Sequence, residues 1–319
     1  MALRVPTRDA IEAAAERIAD AVEPTPLVRL EAEHPGADLY LKLETEHPIG
    51  SFKLRGALNA LRSTDDPKRL EGVWTASAGN MAQGLAWAAR QAALRATVVM
   101  PESAPRVKRE GAGRLGARVV EVSWEEWWRI LEERRYSGLE GLFVHPVSEP
   151  SVIEGNGTIG LELAAALDRI DAVLVPFGGG GLISGVAAAL TPDRPELRCL
   201  ACEVATAAPL ATALAAGEPR PVDRRASFVD GIGGRIVLGE MWPLVRQLVS
   251  GTRVVSLEAV AAAMRLLWER HELVVEGAGA VSVAAALRDP TLEGTVVCIV
   301  SGGNVDSAVH EAVLRGDLP

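Results

Sequence analysis

Short apolar runs alternate along the chain with longer stretches in which apolar residues recur at helical spacing. DLYLKLE reads as a strand, followed by a helix from about Phe52 to Leu61. GVWTAS reads as the next strand, followed by a helix in NMAQGLAWAARQ. ATVVMP leads to a helix around Arg106 to Leu115, and ARVVEVS leads to one around Glu125 to Arg135. The alternation breaks at GLFVHPVSEPSVIEGNGT, where Pro146, Pro150 and the nearby glycines predict a junction between two lobes. It resumes with a helix in IGLELAAAL, the strand DAVLVPF and a helix in LISGVAAAL, and the later strands are LRCLACEV and TVVCIVS. This rhythm predicts an α/β fold with mostly parallel sheets and right-handed crossovers. The opening segment, MALRVPTRDAIEAAAERIADAV, mixes acids among its apolar residues. It predicts an amphipathic helix rather than a signal peptide.

Hydrophobic residues make up 48% of the 319-residue chain and aromatics only 4%, so the core is built from Ala, Val, Leu and Ile. A chain of this length supports a large core and two lobes. The smaller is expected over residues 46–146, the larger over residues 1–45 and 147–319. A net charge of -9 argues against a broad nucleic-acid-binding face. Arg106, Lys108, Arg109 and Arg114 cluster and read as a solvated helix face. No apolar run reaches about 18 residues, so no membrane span is expected and a cytoplasmic protein is. Cys199 and Cys202 form a CxxC in what reads as a strand, where positions i and i+3 face opposite sides. Core cysteines are expected there, not a redox pair. Trp124, Trp127 and Trp128 share one face of a helix. Packing is the reading preferred over a ligand-stacking site.

Four stretches carry candidate chemistry. FGGGGLISG, residues 177–185, follows a strand and opens a helix. Its glycines let successive N–H groups converge on an anion, and the helix N-terminus adds free donors, so the loop reads as a phosphate cradle. No Gly-Lys-Ser/Thr follows, which excludes a P-loop, and the spacing is not that of a GxGxxG dinucleotide loop. SGGNVD, residues 301–306, lies at the carboxyl end of a strand, where ligands bind in open α/β sheets. SAGN, residues 77–80, offers Ser77 and following N–H groups to a carboxylate, although a helix cap explains it equally well. HPIGSFKLRGA sets Lys53 just after a Gly-Ser turn.

In this order the four pieces resemble the fold-type II pyridoxal-phosphate family, and within it the serine/threonine dehydratase (threonine ammonia-lyase) and serine racemase group. The resemblance runs from PTPLVRL at Pro24 to SGGNVD. HPIGSFKLRGA resembles the family's Schiff-base motif, SAGNMAQG its substrate-carboxylate loop, and HPVSEPSVIEGNGTIGLE and VPFGGGGLISG its lobe junction and phosphate loop. The resemblance implies that Lys53 holds pyridoxal 5'-phosphate covalently, is displaced by an amino acid and then acts as base at Cα. It implies that Phe52 packs against the cofactor ring and that Asn80 meets its hydroxyl. Gly178, Gly179, Gly180 and Gly181 hold the phosphate, and Ser301 meets the ring nitrogen. Ser77, Ala78, Gly79 and Asn80 are expected to receive the substrate carboxylate, with Gly231 in a loop nearby. Glu276 either approaches the ring-nitrogen side or supplies a charge at a helix N-terminus. A homodimer is expected from the same resemblance.

The chain departs from the family's pattern in informative places. Racemases of this group carry a serine where this chain has Ala78, and alanine transfers no proton, so elimination is expected over racemisation. Met81 replaces a histidine common in dehydratases. Glu154 stands in a stretch that often reads Ala-Gly-Gln, and either contacts the substrate side chain or faces solvent. Glu203 matches a glutamate that binds a divalent metal in some members, but the later acidic position is Pro209, so no metal is expected. The chain stops soon after SGGNVD, so feedback through the regulatory domain of long threonine deaminases is not expected. The expected activity is β-elimination from L-threonine, L-serine or another β-hydroxy amino acid. The alternatives are a β- or γ-replacement enzyme such as a threonine synthase, a serine racemase, and a non-catalytic phosphate-ligand-binding protein.

Overall fold

The apolar runs assemble into two separate sheets in the computed structural model, which describes residues 3–319. Met1 and Ala2 of the opening segment lie outside the described residues. The strands are β1 (Leu27–Arg29), β2 (Ala37–Leu43), β3 (Val73–Ala76), β4 (Ala96–Pro101), β5 (Arg118–Val122), β6 (Leu142–Phe143), β7 (Ala172–Pro176), β8 (Arg198–Val204), β9 (Gly251–Val255) and β10 (Gly294–Val300). The helices are α1 (Arg8–Ile18), α2 (Lys53–Arg62), α3 (Asn80–Gln91), α4 (Arg106–Arg114), α5 (Trp124–Glu133), α6 (Pro150–Ala166), α7 (Gly181–Leu190), α8 (Pro209–Ala216), α9 (Trp242–Leu248), α10 (Leu257–His271), α11 (Gly277–Arg288) and α12 (Ser307–Arg315).

The larger sheet has the order β1-β2-β10-β7-β8-β9 and is parallel except for β1, while the smaller one, β5-β4-β3-β6, is parallel throughout. Helices cover both faces, as strands buried on both sides require. Alternation along β8 splits its cysteines: Cys199 joins the core on one face of the large sheet and Cys202 the core on the other. Burial raises the Cys199 thiol to about 12. Both cysteines are therefore inert packing groups at ordinary pH.

Two sequence expectations need correction. The helix expected in IGLELAAAL starts earlier: Pro150 occupies the first turn of α6, which runs unbroken through Gly155, Asn156, Gly157 and Gly160. Those glycines serve close packing. A Cβ on Gly155 would lie 2.6 Å from the Arg55 carbonyl oxygen of α2, and one on Gly185 of α7 would lie 2.4 Å from the Ile153 carbonyl oxygen. The second concerns Lys108. Arg106 and Arg114 are exposed and both face Glu110, but Lys108 lies on the opposite face of α4 with Gly111 and Ala112 and is fully buried. The pattern reading names none of the elements between Pro209 and His271. Among the described residues no helix is long and apolar enough to cross a membrane.

Candidate active site

The carboxyl ends of β3, β7 and β10 point their loops into one cleft between the sheets. Residues 77–79 come from the small sheet, and residues 177–180 and 301–304 from the large one. The turn before Lys53 is tied to the last of these. Phe52 N–H donates to the Ser301 carbonyl at 3.2 Å, Gly303 N–H to Gly50 at 2.9 Å, and Asn304 Nδ2 to Ile49 at 2.7 Å. Lys53 thereby enters α2 at a fixed point on its first turn.

Lys53 faces a cavity of about 240 Å³. Its Nζ donates to the Pro146 carbonyl at 2.7 Å and lies 5.0 Å from the Phe52 ring centroid. Burial alone lowers its pKa to about 8, so a substantial fraction is free amine in mildly basic solution. His145 lies nearby and is neutral: burial, then the charges of Arg134 and Lys53, lower it to about 3. Its Nδ1 accepts N–H groups from Val147 and Ser148 and so shapes the turn that carries the Pro146 carbonyl.

Behind Lys53, α2 is anchored by Arg55 in the same first turn. Arg55 is fully buried and donates to Glu44 through Nε (2.8 Å) and Nη2 (2.9 Å), to Thr158 at 3.0 Å, and to Glu162 of α6. Burial would raise Glu44, but Arg55 and a hydrogen bond from His47 outweigh it and hold the carboxyl well below its ordinary range. Lys42 also pairs with Glu162, which leaves two cations facing two carboxylates.

The glycine loop closes the far side. Gly180 has φ +97°, and a Cβ there would lie 2.6 Å from Val245 Cγ2, while one on Gly179 would lie 2.6 Å from Val147 Cγ1. Only glycine satisfies both the left-handed backbone and the close approach. The Ser184 N–H reaches back to the Gly180 carbonyl, so the N–H groups ahead of it have no partner within α7 and are free to meet an anion.

Across the cleft runs a polar chain that sequence reasoning missed. Lys108 Nζ lies 3.0 and 2.8 Å from the two Asp230 oxygens and 2.8 Å from Glu276 Oε2. Glu276 Oε1 accepts Asn80 Nδ2 at 2.7 Å, and Asn80 Oδ1 accepts Asn304 Nδ2 at 3.0 Å. Burial lowers the Lys108 amine, but Glu276 and Asp230 outweigh it and keep it protonated; burial pushes Glu276 up, and Lys108 only partly offsets that. One Nδ2–H of Asn80 remains after these bonds. Glu276 therefore does more than charge the start of α11: its side chain makes no cap there and faces the cavity. The signal for Lys108 was its spacing with Gly111 and Ala112, opposite the 106/110/114 stripe.

Phe52, Lys53, Ser77, Ala78, Gly79, Asn80, Met81, Gly178, Gly179, Gly180, Gly181, Gly231 and Ser301 all line this cavity. Glu154 does not. Its position on α6 turns it toward Arg17 and Asn59, where burial raises its pKa, so it is not a substrate contact. Glu203 is also elsewhere, its two oxygens accepting the Leu210 and Ala211 N–H groups at 2.8 Å each. Burial raises it to about 7. The tryptophans combine both readings: Trp127 and Trp128 pack on the small-sheet core, and all three line the cavity.

The family described as pyridoxal-phosphate dependent enzyme matches residues 18–302. The chain is 39% identical over 315 residues to an L-threonine ammonia-lyase of Geobacter sulfurreducens, covering 97% of this chain and 78% of that one. A maize serine racemase structure superposes with a TM-score of 0.88 at 33% identity, over 98% of both chains. A T.th. threonine deaminase structure does so with a TM-score of 0.85 at 36% identity, over 94% of this chain and 99% of that one.

Proposed function

The chain belongs to the pyridoxal-phosphate dependent enzyme family, with pyridoxal phosphate as its cofactor, and we propose that it dehydrates and deaminates an L-β-hydroxy amino acid. Its chemistry is elimination or racemisation on small amino acids. The residues present fit the cofactor. An amine with lowered pKa, a glycine loop that a Cβ would fill, and the remaining Asn80 donor all face one cavity. Gly178 to Gly181 and the α7 N-terminus would hold the phosphate, Lys53 the aldehyde carbon, Asn80 the ring hydroxyl, and Ser301 the ring nitrogen. When bound, the cofactor supplies an electron sink for negative charge at Cα.

The protein's own part is orientation and proton movement. N–H groups of the Ser77–Asn80 loop at the α3 N-terminus receive the substrate carboxylate. This fixes Cα beside Lys53, whose neutral Nζ takes the Cα proton. The β-hydroxyl departs as water with the proton that Nζ has taken, the resulting enamine tautomerises to an imine, and its hydrolysis consumes one water to leave a 2-oxo acid and ammonia. A serine hydroxyl at the ring nitrogen shares a proton without carrying charge. Ser301 would thus leave the ring nitrogen without a full charge, which would favour prompt loss of the hydroxyl.

The observation that carries elimination over racemisation is Ala78. Racemisation needs a proton donor on the face of Cα away from Lys53. The family resemblance puts that donor, a serine, at the position of Ala78, which lines the cavity, and the neighbouring Ser77 hydroxyl accepts the Gly79 N–H at 3.2 Å. The test is to incubate the loaded enzyme and a Lys53→Ala control with L-serine and with L-threonine. Release of 2-oxo acid and inversion at Cα are followed together. Oxo acid from the wild type alone supports the proposal; D-serine formed faster than oxo acid refutes it.

A further inference from the structure

Beyond the Lys53 end, the cavity is walled by aromatic rings. Ser123 caps α5 by accepting the Glu126 N–H, and Trp124, Trp127 and Trp128 then share one helix face. Trp124 stacks on Trp128 with centroids 5.5 Å apart and planes 9° apart, and Trp127 tilts against them at 6.1 and 6.2 Å. Leu131, Ile236 and Leu238 extend the apolar lining. Both ends of α5 are held to the large-sheet side. The Arg235 guanidinium lies 4.1 Å from the Trp124 ring centroid, and Arg134 Nη2 donates to Glu240 at 2.9 Å. The wall is thus a fixed feature of the site.

A serine side chain ends in a hydroxyl, and threonine adds one methyl. Neither has the reach or surface to use three indoles. We propose that the substrate carries an aryl group on its β-carbon, as in L-3-phenylserine; this rests on the elimination reading above. The rings of the wall are already spaced for offset and edge-to-face contact, and an aryl substituent adds a further ring to that cluster. A branched alkyl group of similar size gains only its burial. The carboxylate loop and Lys53 fix the amino-acid half of either substrate in the same way, so discrimination rests on the wall.

The test compares kcat/KM for 2-oxo acid release from L-3-phenylserine, L-threonine and L-3-hydroxyleucine with the cofactor-loaded enzyme. Phenylserine is expected to exceed both others by at least about tenfold, the scale of discrimination a few apolar groups provide. In Trp128→Ala, and in the milder Trp128→Leu, the phenylserine-to-threonine ratio should fall by at least about tenfold. A preference for threonine overturns the inference and leaves elimination standing; a preference for hydroxyleucine overturns the aromatic choice. If no substrate yields oxo acid, the elimination reading falls, and the wall is judged by binding alone. Spectral titration of the bound cofactor should then favour L-phenylalanine over L-alanine by about tenfold, and equal affinities overturn it.

Discussion

Replacing Arg55 with methionine should destabilise the protein far more than a surface charge change would. Arg55 and Lys42 neutralise Glu44 and Glu162, and Glu44 and Arg55 are essentially sealed from solvent. Without Arg55, Glu44 keeps only Thr25 Oγ1 (2.7 Å) and His47 (3.0 Å). Removing one partner of a buried pair costs about 3–5 kcal/mol, because the other charge stays buried. A second change, Glu44→Gln, removes that charge, so the double variant should regain about 2 kcal/mol or more of the loss. The pH dependence follows from the sign of the shift. Glu44 is depressed from its ordinary 4.5, so its stabilisation in the wild type is present above that value and is lost as pH falls through the depressed one. In Arg55→Met, burial instead raises Glu44, and the folded state takes up a proton, so the deficit relative to wild type should shrink from pH 8 towards pH 5. Urea unfolding midpoints of the loaded proteins measure both effects. A deficit below about 1 kcal/mol at pH 7, or one independent of pH, refutes the reasoning.

Lys108→Met should leave Asp230 and Glu276 facing each other without a cation and weaken the Glu276 acceptor for Asn80. Steady-state kinetics on cofactor-saturated enzyme should show kcat/KM lower by about tenfold to a hundredfold, the value of a charged hydrogen bond; a change within twofold rejects the link. Gly180→Ala forces a side chain into a left-handed backbone and against Val245, so it should cost about 1–3 kcal/mol and weaken cofactor retention on dialysis. Unchanged retention and unfolding midpoint would contradict the cradle geometry. For Lys53, labelling of the apo-protein by pyridoxal phosphate with borohydride, counted by mass spectrometry, should rise with pH to a midpoint of about 8. A midpoint near the ordinary 10.5 removes the case for an activated amine.

The parts of the site legible in the sequence are those whose chemistry is local. Lys53 after its Gly-Ser turn, Ser77 to Asn80, the four glycines from Gly178 and Ser301 each sit at the edge of a strand or helix, and their neighbours in sequence set where each one stands. The fold enters one cavity through these same turns. Lys108 was misread because its partners are distant: Asp230 lies 122 residues on, and only the packing of α4 against the large-sheet loops brings them together. Glu154 stays open in the sequence for the converse reason. A change of residue within a motif stretch says nothing about which side of α6 it occupies, and that side is decided by how α6 packs against α1 and α2. Glycines hid the first part of α6, because in isolation Gly155 and Gly157 predict a break before the helix in IGLELAAAL; Gly160 lies within that helix. Their intolerance of a Cβ appears only when α2, α1 and α7 are packed against them.

The cavity divides its tasks between different elements, and this has a consequence for how substrate choice relates to chemistry. Lys53, Asn80, Ser301 and the glycine loop stand on α2, α3, the end of β10 and the start of α7, and hydrogen bonds that cross between the sheets tie the first three together. A change in any of them disturbs the others, since Asn80 depends on Glu276 and Asn304, and Lys53 on the turn held by Ser301. The tryptophans stand on α5, which is held through Arg235 and Glu240; only Arg134, past the end of the helix, reaches Ser148 beside the turn that carries Pro146. Substitutions on the α5 face can therefore alter which β-substituent is accepted while the proton-transfer geometry at Cα is retained. A chain with dehydratase-like motifs at one end of its cavity and an aromatic wall at the other is coherent on the proposed reading, in which the motifs set the reaction class and the wall the side chain.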